Sequence, residues 1–201
     1  MVKKPKIRKR LLPVNMFSRP GKKLVSIKGV VVHWTGNPTL DAEGHATYFK
    51  SLANQDPDDD KFDRYAGAHY FVGTKGDIIQ LIPDNEMAYH VGAKSYNEKT
   101  LDKFNTTYPN NCLIGIELCH TDASGEFTED TWNRALILIA WLLEEYDLTL
   151  SDVVRHYDVT GKICPKWFVN DEKAYQKFRD DLAYVLYESS VHNKKVERFI
   201  R

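Results

Sequence analysis

Residues 25–36 read VSIKGVVVHWTG, the first segment of the chain with the pattern of a buried strand. The apolar run from Val30 to Val32 lies between two glycines, which is typical of a short buried strand. His33 follows directly, so the pattern predicts a chemically active side chain at the end of that strand. The question for the remaining sequence is which other groups join it.

Segments with helical and strand periodicity alternate along the rest of the chain. Apolar residues recur at helical spacing over 40–53, 128–146 and 171–189, and Thr128 is a suitable cap for the second of these helices. A hairpin with GTKG at its turn is predicted for AHYFVGTKGDIIQLI. CLIGIELC, residues 112–119, is predicted to be a second buried strand.

The sequence contains neither a dinucleotide-binding glycine fingerprint nor a phosphate-binding loop among these alternating segments. It predicts an α/β fold, a single domain with a mixed central β-sheet flanked by helices. The expected boundaries are a basic N-terminal lead-in at 1–24, the folded domain at 25–189 and a C-terminal tail at 190–201.

Composition excludes several classes of protein. Lys plus Arg and Asp plus Glu both number 28, so no net field favours nucleic acid or an anionic membrane. No apolar run approaches the roughly 20 residues that span a bilayer. Pro13 and Asn15 interrupt the region that a Sec signal would need to be apolar, so we expect synthesis in the cytoplasm without such a signal. Three cysteines, at 112, 119 and 164, cannot all pair, which favours a reducing compartment.

The segment VRHYDVTGKICP, residues 154–165, places His156 and Cys164 eight residues apart. Like His33, His156 falls at a strand end, where loops of α/β folds build their sites. Two imidazoles and one thiolate, with a fourth position left for water, compose a catalytic zinc site. The residues alone also permit unrelated core side chains, or a cysteine nucleophile with His156 as its base.

Two charged side chains add to the zinc hypothesis. Period-two alternation puts Glu117 on the face opposite Ile114 and Ile116, and a carboxylate there could accept a proton from a zinc-activated water. Lys162 stands two residues before Cys164 and could stabilise negative charge on a tetrahedral intermediate. The alternative to a catalytic role is that Glu117 forms a salt bridge and that Lys162 is a solvated surface residue.

Five motifs occur in a fixed order along the chain: VVVHWTG, AGAHYFV, MAYHVG, IGIELC and RHYDVTGKICP. Together they resemble the zinc-dependent N-acetylmuramoyl-L-alanine amidases of the amidase type 2 family. That family includes phage and prophage endolysins and bacterial autolysins, and it shares its fold with the peptidoglycan recognition proteins. The resemblance extends from about Ser26 to Leu186 and makes 25–189 the expected catalytic domain.

The resemblance implies roles for the residues that the chemistry had selected. It implies one Zn²⁺ ion held by His33, His156 and Cys164. It makes Glu117 the catalytic acid and base, and Lys162 the oxyanion-stabilising lysine.

The resemblance also implies a substrate-binding role for His90 and Thr35. His90 falls in a segment that borders the substrate groove in the family, and Thr35 stands two residues after the first ligand. A histidine that only orders its loop is the alternative for His90. Some relatives have a catalytic tyrosine where this chain has Ala68, so Glu117 would transfer protons alone or with the lysine. Tyr89 replaces a common tryptophan.

The implied partner is peptidoglycan, bound through its muramyl peptide by a monomer that acts at the bacterial cell wall. The expected reaction is hydrolysis of the amide between N-acetylmuramic acid and L-alanine. A receptor that binds without cleaving is the alternative on this fold, and Cys164 argues for the enzyme because non-cleaving relatives typically lack that ligand. A cysteine hydrolase would leave His33 and Glu117 without roles.

Overall fold

The computed structural model describes residues 1–59 and 61–199, with the backbone alone from residue 192 onwards. Within this part of the chain six strands form one sheet. They are β1 (Arg8–Lys9), β2 (Gly29–Trp34), β3 (Tyr70–Val72), β4 (Ile78–Gln80), β5 (Leu113–Leu118) and β6 (Val153–Arg155).

Six α-helices surround the sheet in the described residues. They are α1 (Ala42–Ser51), α2 (Glu98–Phe104), α3 (Glu129–Glu145), α4 (His156–Thr160), α5 (Lys166–Asn170) and α6 (Glu172–Phe199). The predicted cap of α3 is confirmed, since Thr128 accepts a hydrogen bond from the backbone N–H of Thr131. None of the described helices combines the length and apolar character that crossing a bilayer requires.

The strand order is β1-β4-β3-β5-β2-β6. The hairpin of β3 and β4 is antiparallel, as the GTKG turn predicts, and all other neighbouring strands are parallel. The mixed sheet with flanking helices confirms the predicted fold class. Strands β2 and β5 pair over their full lengths, and each is an interior strand with a neighbour on both sides.

Alternation along β5 separates an apolar face from a functional one. Ile114, Ile116 and Leu118 are fully buried in a cluster that includes Ile139 of α3 and Phe178 of α6. Burying such side chains stabilises the fold by roughly 1.5–3 kcal/mol each. The carboxylate of Glu117 is therefore directed to the opposite face of the sheet, as the alternation predicted.

Parts of the chain expected to be irregular contain regular structure. Arg8 and Lys9 of the lead-in pair with Ile79 and Gln80 and extend the sheet by an edge strand. The pairing uses backbone groups, which any sequence provides. A strand can therefore form in this exposed, charged segment without an apolar pattern that would predict it.

The polar loops also contain short helices. Helix α2 begins at an Asn97 cap, and α4 follows β6 directly in a segment that reads as a loop. Helix α6 runs past the expected domain end at 189 to Phe199. Residues 200 and 201 of the expected tail lie outside the described residues.

Candidate metal centre

The carboxyl ends of three parallel strands meet at one edge of the sheet. His33 lies near the end of β2, Glu117 near the end of β5, and His156 directly after β6. Side chains at this edge of parallel strands are brought together by the strand pairing itself. Residues distant in sequence thus become neighbours through backbone hydrogen bonds.

Two histidines and a cysteine form a compact cluster at this edge. His33 Nδ1 lies 3.0 Å from His156 Nδ1 and 3.7 Å from Cys164 Sγ. Ligand atoms of all three residues fall within 4.8 Å of one another, and all three side chains are buried. A tetrahedral zinc ion separates two nitrogen ligands by roughly 3.3 Å and a nitrogen from a sulfur by roughly 3.6 Å, so the spacing fits such an ion.

The protonation states of this cluster also suit a cation. Burial lowers the pKa of His33 well below its usual value, and the neighbouring His156 adds to this effect. Burial, assisted by the charge of Lys162, lowers the pKa of His156 to about 4. Burial raises the pKa of the Cys164 thiol to about 12. The imidazoles are therefore neutral, as ligands must be, and a cation would stabilise the thiolate.

Glu117 lies beside this cluster as the register partner of His33. Its Oε2 is enclosed and has no hydrogen-bond partner among the described residues. Burial raises the pKa of Glu117 to about 8, and the charges of Lys162 and Arg64 partly oppose the increase. A carboxyl group with this pKa and a free oxygen can accept and return a proton near neutral pH.

Lys162 and Thr35 line the same cleft. Lys162 is exposed on the connection between two members of the cluster and forms no ion pair with any described side chain. Its ammonium group therefore remains available to a ligand. Thr35 donates its backbone N–H to Leu118 O over 3.1 Å, and its buried Oγ1 has no partner in the described part of the chain.

His90 lies behind His33, where its ring is buried. His90 Nδ1 is 3.0 Å from His33 Nε2, and His90 Nε2 is 3.0 Å from Leu113 O. Both ring nitrogens are thus engaged within the protein. The ring also borders the cleft, as the sequence resemblance implied, but its two nitrogens are directed to groups of the protein.

His69 is a core histidine, and both of its ring nitrogens have partners. Its Nδ1 accepts from the backbone N–H of Gly115, and its Nε2 is 2.9 Å from Glu86 O.

The cleft has a volume of about 1080 Å³. Among the described residues that line it, Glu117 is the only acid, and Arg64 and Lys162 are the cations. Aromatic side chains form much of the remaining wall: Trp34, Tyr48, Phe49, Phe62, Phe71, Tyr65, Tyr89 and Tyr108. This composition suits an extended ligand with apolar or sugar faces and an anionic group.

Sequence reasoning missed Arg64 and Asn110 in this cleft. Arg64 directly follows the acidic run DPDDDKFD, residues 56–63, whose composition is typical of a solvated loop, so a lone cation after that run is its only sequence signal. Asn110 lies in the turn before β5. Its side chain bonds to a loop that is distant in sequence, so no local pattern identifies it. Ala68 packs in a buried cluster with Phe71 and Leu81.

A family model described as N-acetylmuramoyl-L-alanine amidase matches residues 23–167. A probable N-acetylmuramoyl-L-alanine amidase of Bacillus licheniformis is 36% identical over 174 residues, which are 87% of this chain and 46% of that protein. The N-acetylmuramoyl-L-alanine amidase CwlL of Bacillus licheniformis is 34% identical over 193 residues, 96% of this chain and 49% of that protein.

A solved structure of a mutant endolysin from Bacillus subtilis superimposes with a TM-score of 0.66 at 29% identity. The match covers 88% of this chain and 98% of that one. The chain spans about half the length of the curated relatives it matches, whereas it corresponds to nearly all of the solved endolysin chain.

Proposed function

The chain belongs to the amidase type 2 family of N-acetylmuramoyl-L-alanine amidases, and from this premise we propose that it cleaves peptidoglycan. The bond attacked is the amide between the lactyl group of N-acetylmuramic acid and the L-alanine of the stem peptide. The observation that carries the proposal is the buried cluster of His33, His156 and Cys164 beside Glu117, the only acid among the described residues of the cleft.

One Zn²⁺ ion would be held by His33, His156 and Cys164. When bound, zinc would polarise the scissile carbonyl and lower the pKa of a water molecule to about 7. The donor set supports this choice, because two nitrogens and one sulfur leave a fourth position open. A structural site would normally be closed by a fourth protein ligand.

Glu117 takes the proton of the attacking water and returns it to the departing amine. Its raised pKa, about 8, suits a group that must both accept and donate a proton near neutral pH. The rigid central strand holds its carboxyl group in place. Because no second acid lies among the described residues of the cleft, the same carboxyl group serves both steps.

Lys162 stabilises the negative charge that develops on the carbonyl oxygen of the scissile amide. It lines the cleft, and its charge acts on both Glu117 and His156. An unpaired ammonium group there stabilises the transition state more than the neutral substrate. The aromatic wall, which includes Tyr65 and Tyr108, would pack against the muramyl peptide.

In this proposal, residues 25–189 form the catalytic unit, which acts as a monomer at the bacterial cell wall. The zero net charge of the chain supports a substrate recognised by shape and local charge rather than by a general electrostatic field.

Digestion of purified Gram-positive peptidoglycan tests the proposal, with new amino-terminal alanine and new reducing sugar measured together. We expect alanine termini without reducing ends, and loss of the product when a chelator removes the metal. Binding to the wall with neither product would favour a receptor. Activity that survives complete removal of the metal would favour a cysteine hydrolase, and reducing ends alone would show that another bond is cut.

A further inference from the structure

We propose that His90 is a positioning residue that holds the ring of His33 in the tautomer whose Nδ1 lone pair faces the metal. The inference rests on the proposed function, because it assumes zinc at His33. It assigns His90 to the support of a ligand rather than to substrate binding.

The hydrogen-bond acceptors determine where the protons of the two rings lie. A backbone carbonyl can only accept, so His90 Nε2, 3.0 Å from Leu113 O, must carry a hydrogen. With its ring hydrogen on Nε2, the His90 imidazole has its lone pair on Nδ1. That lone pair accepts the Nε2–H of His33 at 3.0 Å. The other nitrogen of His33, Nδ1, is then free to bind a cation.

The fold holds His90 in this position from its backbone. Asn110 Oδ1 accepts from the N–H of His90 over 3.2 Å and from the N–H of Val91 over 3.0 Å. Asn110 is fully buried, and its own amide donates to the Tyr108 hydroxyl over 3.1 Å. The loop that carries the histidine is therefore fastened to the turn that leads into β5.

Strand β5 also makes room for the ring. A Cβ added at Gly115 would lie 2.5 Å from Cγ and 2.7 Å from Nδ1 of His90. No side chain fits at that distance, so only glycine lets the ring pack against the strand. Glycine in a strand interior weakens the strand, and a close approach of this kind is a reason for its presence.

The chemical consequence follows from the charge of the acceptor. Metal-bound histidines commonly donate their second N–H to a carboxylate or a backbone carbonyl. Here His33 donates to a neutral imidazole, which in turn donates to Leu113 O. This relay orients the ligand without adding negative charge next to the metal, which leaves the ion the stronger electrophile.

Zinc affinity, measured by competition with a chromophoric chelator, tests the relay without any substrate. In His90→Phe the ring volume remains and the acceptor is lost, so we expect zinc affinity to fall about 10–100-fold. In His90→Asn the side-chain oxygen can replace Nδ1, and we expect an affinity within about threefold of wild type. His45→Phe, which removes another buried histidine of the cleft wall, is the matched control and should bind zinc normally.

Wild-type affinity in His90→Phe would overturn the proposal, and so would an equal loss in His90→Asn. If the variants fail to fold, ¹⁵N NMR of zinc-loaded wild-type protein gives a separate answer. We expect the His33 proton on Nε2, with a scalar coupling across the hydrogen bond to His90 Nδ1. Ligation through His33 Nε2 would overturn the relay. A protein that binds zinc through His33 Nδ1 but releases no alanine would refute the amidase proposal and leave the relay standing.

Discussion

His33 and Glu117 are register partners on the adjacent parallel strands β2 and β5. Partners in a parallel pair direct their side chains to the same face of the sheet, so the metal-binding ring and the carboxyl group face the cleft together. Backbone hydrogen bonds on both sides of each central strand set their separation. The group proposed to transfer protons therefore has a fixed position relative to the metal, which a loop residue would lack.

Glu117→Gln is expected to lower the rate of alanine release about 10²–10⁴-fold, because the amide has the shape of the carboxyl group but cannot accept a proton. Zinc content and melting temperature should stay close to wild type. Alanine release from peptidoglycan, with zinc measured by atomic absorption, checks both. A variant with near-normal turnover would show that another group is the base.

Cys164→Ser is expected to reduce zinc affinity strongly, because it replaces a thiolate with a hydroxyl group that ionises far less readily. Cys112→Ser is the matched control, since Cys112 is equally buried but lies outside the cluster. Zinc stoichiometry after gel filtration distinguishes the two variants. Equal retention of zinc in both would remove Cys164 from the ligand set.

Lys162→Met is expected to lower kcat about 10²–10³-fold with a smaller effect on KM, because the charge acts mainly on the developing oxyanion. Lys166→Met is the matched control. Its ammonium group donates to Ala123 O over 2.6 Å and does not line the cleft. Steady-state kinetics on a soluble muramyl peptide separate the two parameters. A change in KM alone would assign Lys162 to substrate binding.

Gly115→Ala is expected to destabilise the protein by about 1–3 kcal/mol, because the added methyl group overlaps the ring of His90. Gly92→Ala is the control, since a Cβ there meets no atom within 4 Å. Denaturant unfolding of the two metal-free variants gives the difference. Equal stability would show that the space behind β5 is not restricted.

The ion pair between Arg19 and Glu86 predicts a pH dependence of stability that is independent of the metal. Its N–O distance is 2.8 Å, both side chains are largely buried, and the arginine holds the pKa of Glu86 below its ordinary value of 4.5. A lowered carboxyl pKa contributes stability above the unfolded-state value, and this contribution is lost as pH falls through the folded-state value.

Glu86→Gln should therefore cost about 1–3 kcal/mol at pH 7. The difference from wild type should shrink as the pH falls from the unfolded-state value of about 4.3 through the lower folded-state value, because the wild-type carboxyl group is then protonated as well. Denaturant unfolding of both proteins over this pH range is the measurement. A difference that stays constant with pH would show that packing, rather than charge, accounts for the effect.

Local patterns predicted the parts of the fold that depend on neighbouring residues. The apolar run before His33, the alternation around Glu117 and the cap at Thr128 each act over a few residues, and each appears in the structure as predicted. Strand β1 escaped prediction because its pairing uses only backbone groups of an exposed, charged segment.

By itself, the sequence determined the α/β class and the set of chemical groups available for a zinc site, because residue type and periodicity are local properties. Only the tertiary structure decided which of these groups meet. Strand order places β2 between β5 and β6, and this brings His33 next to both His156 and Glu117. It also placed His90 behind His33, since the space for its ring is created by Gly115 on a strand distant in sequence.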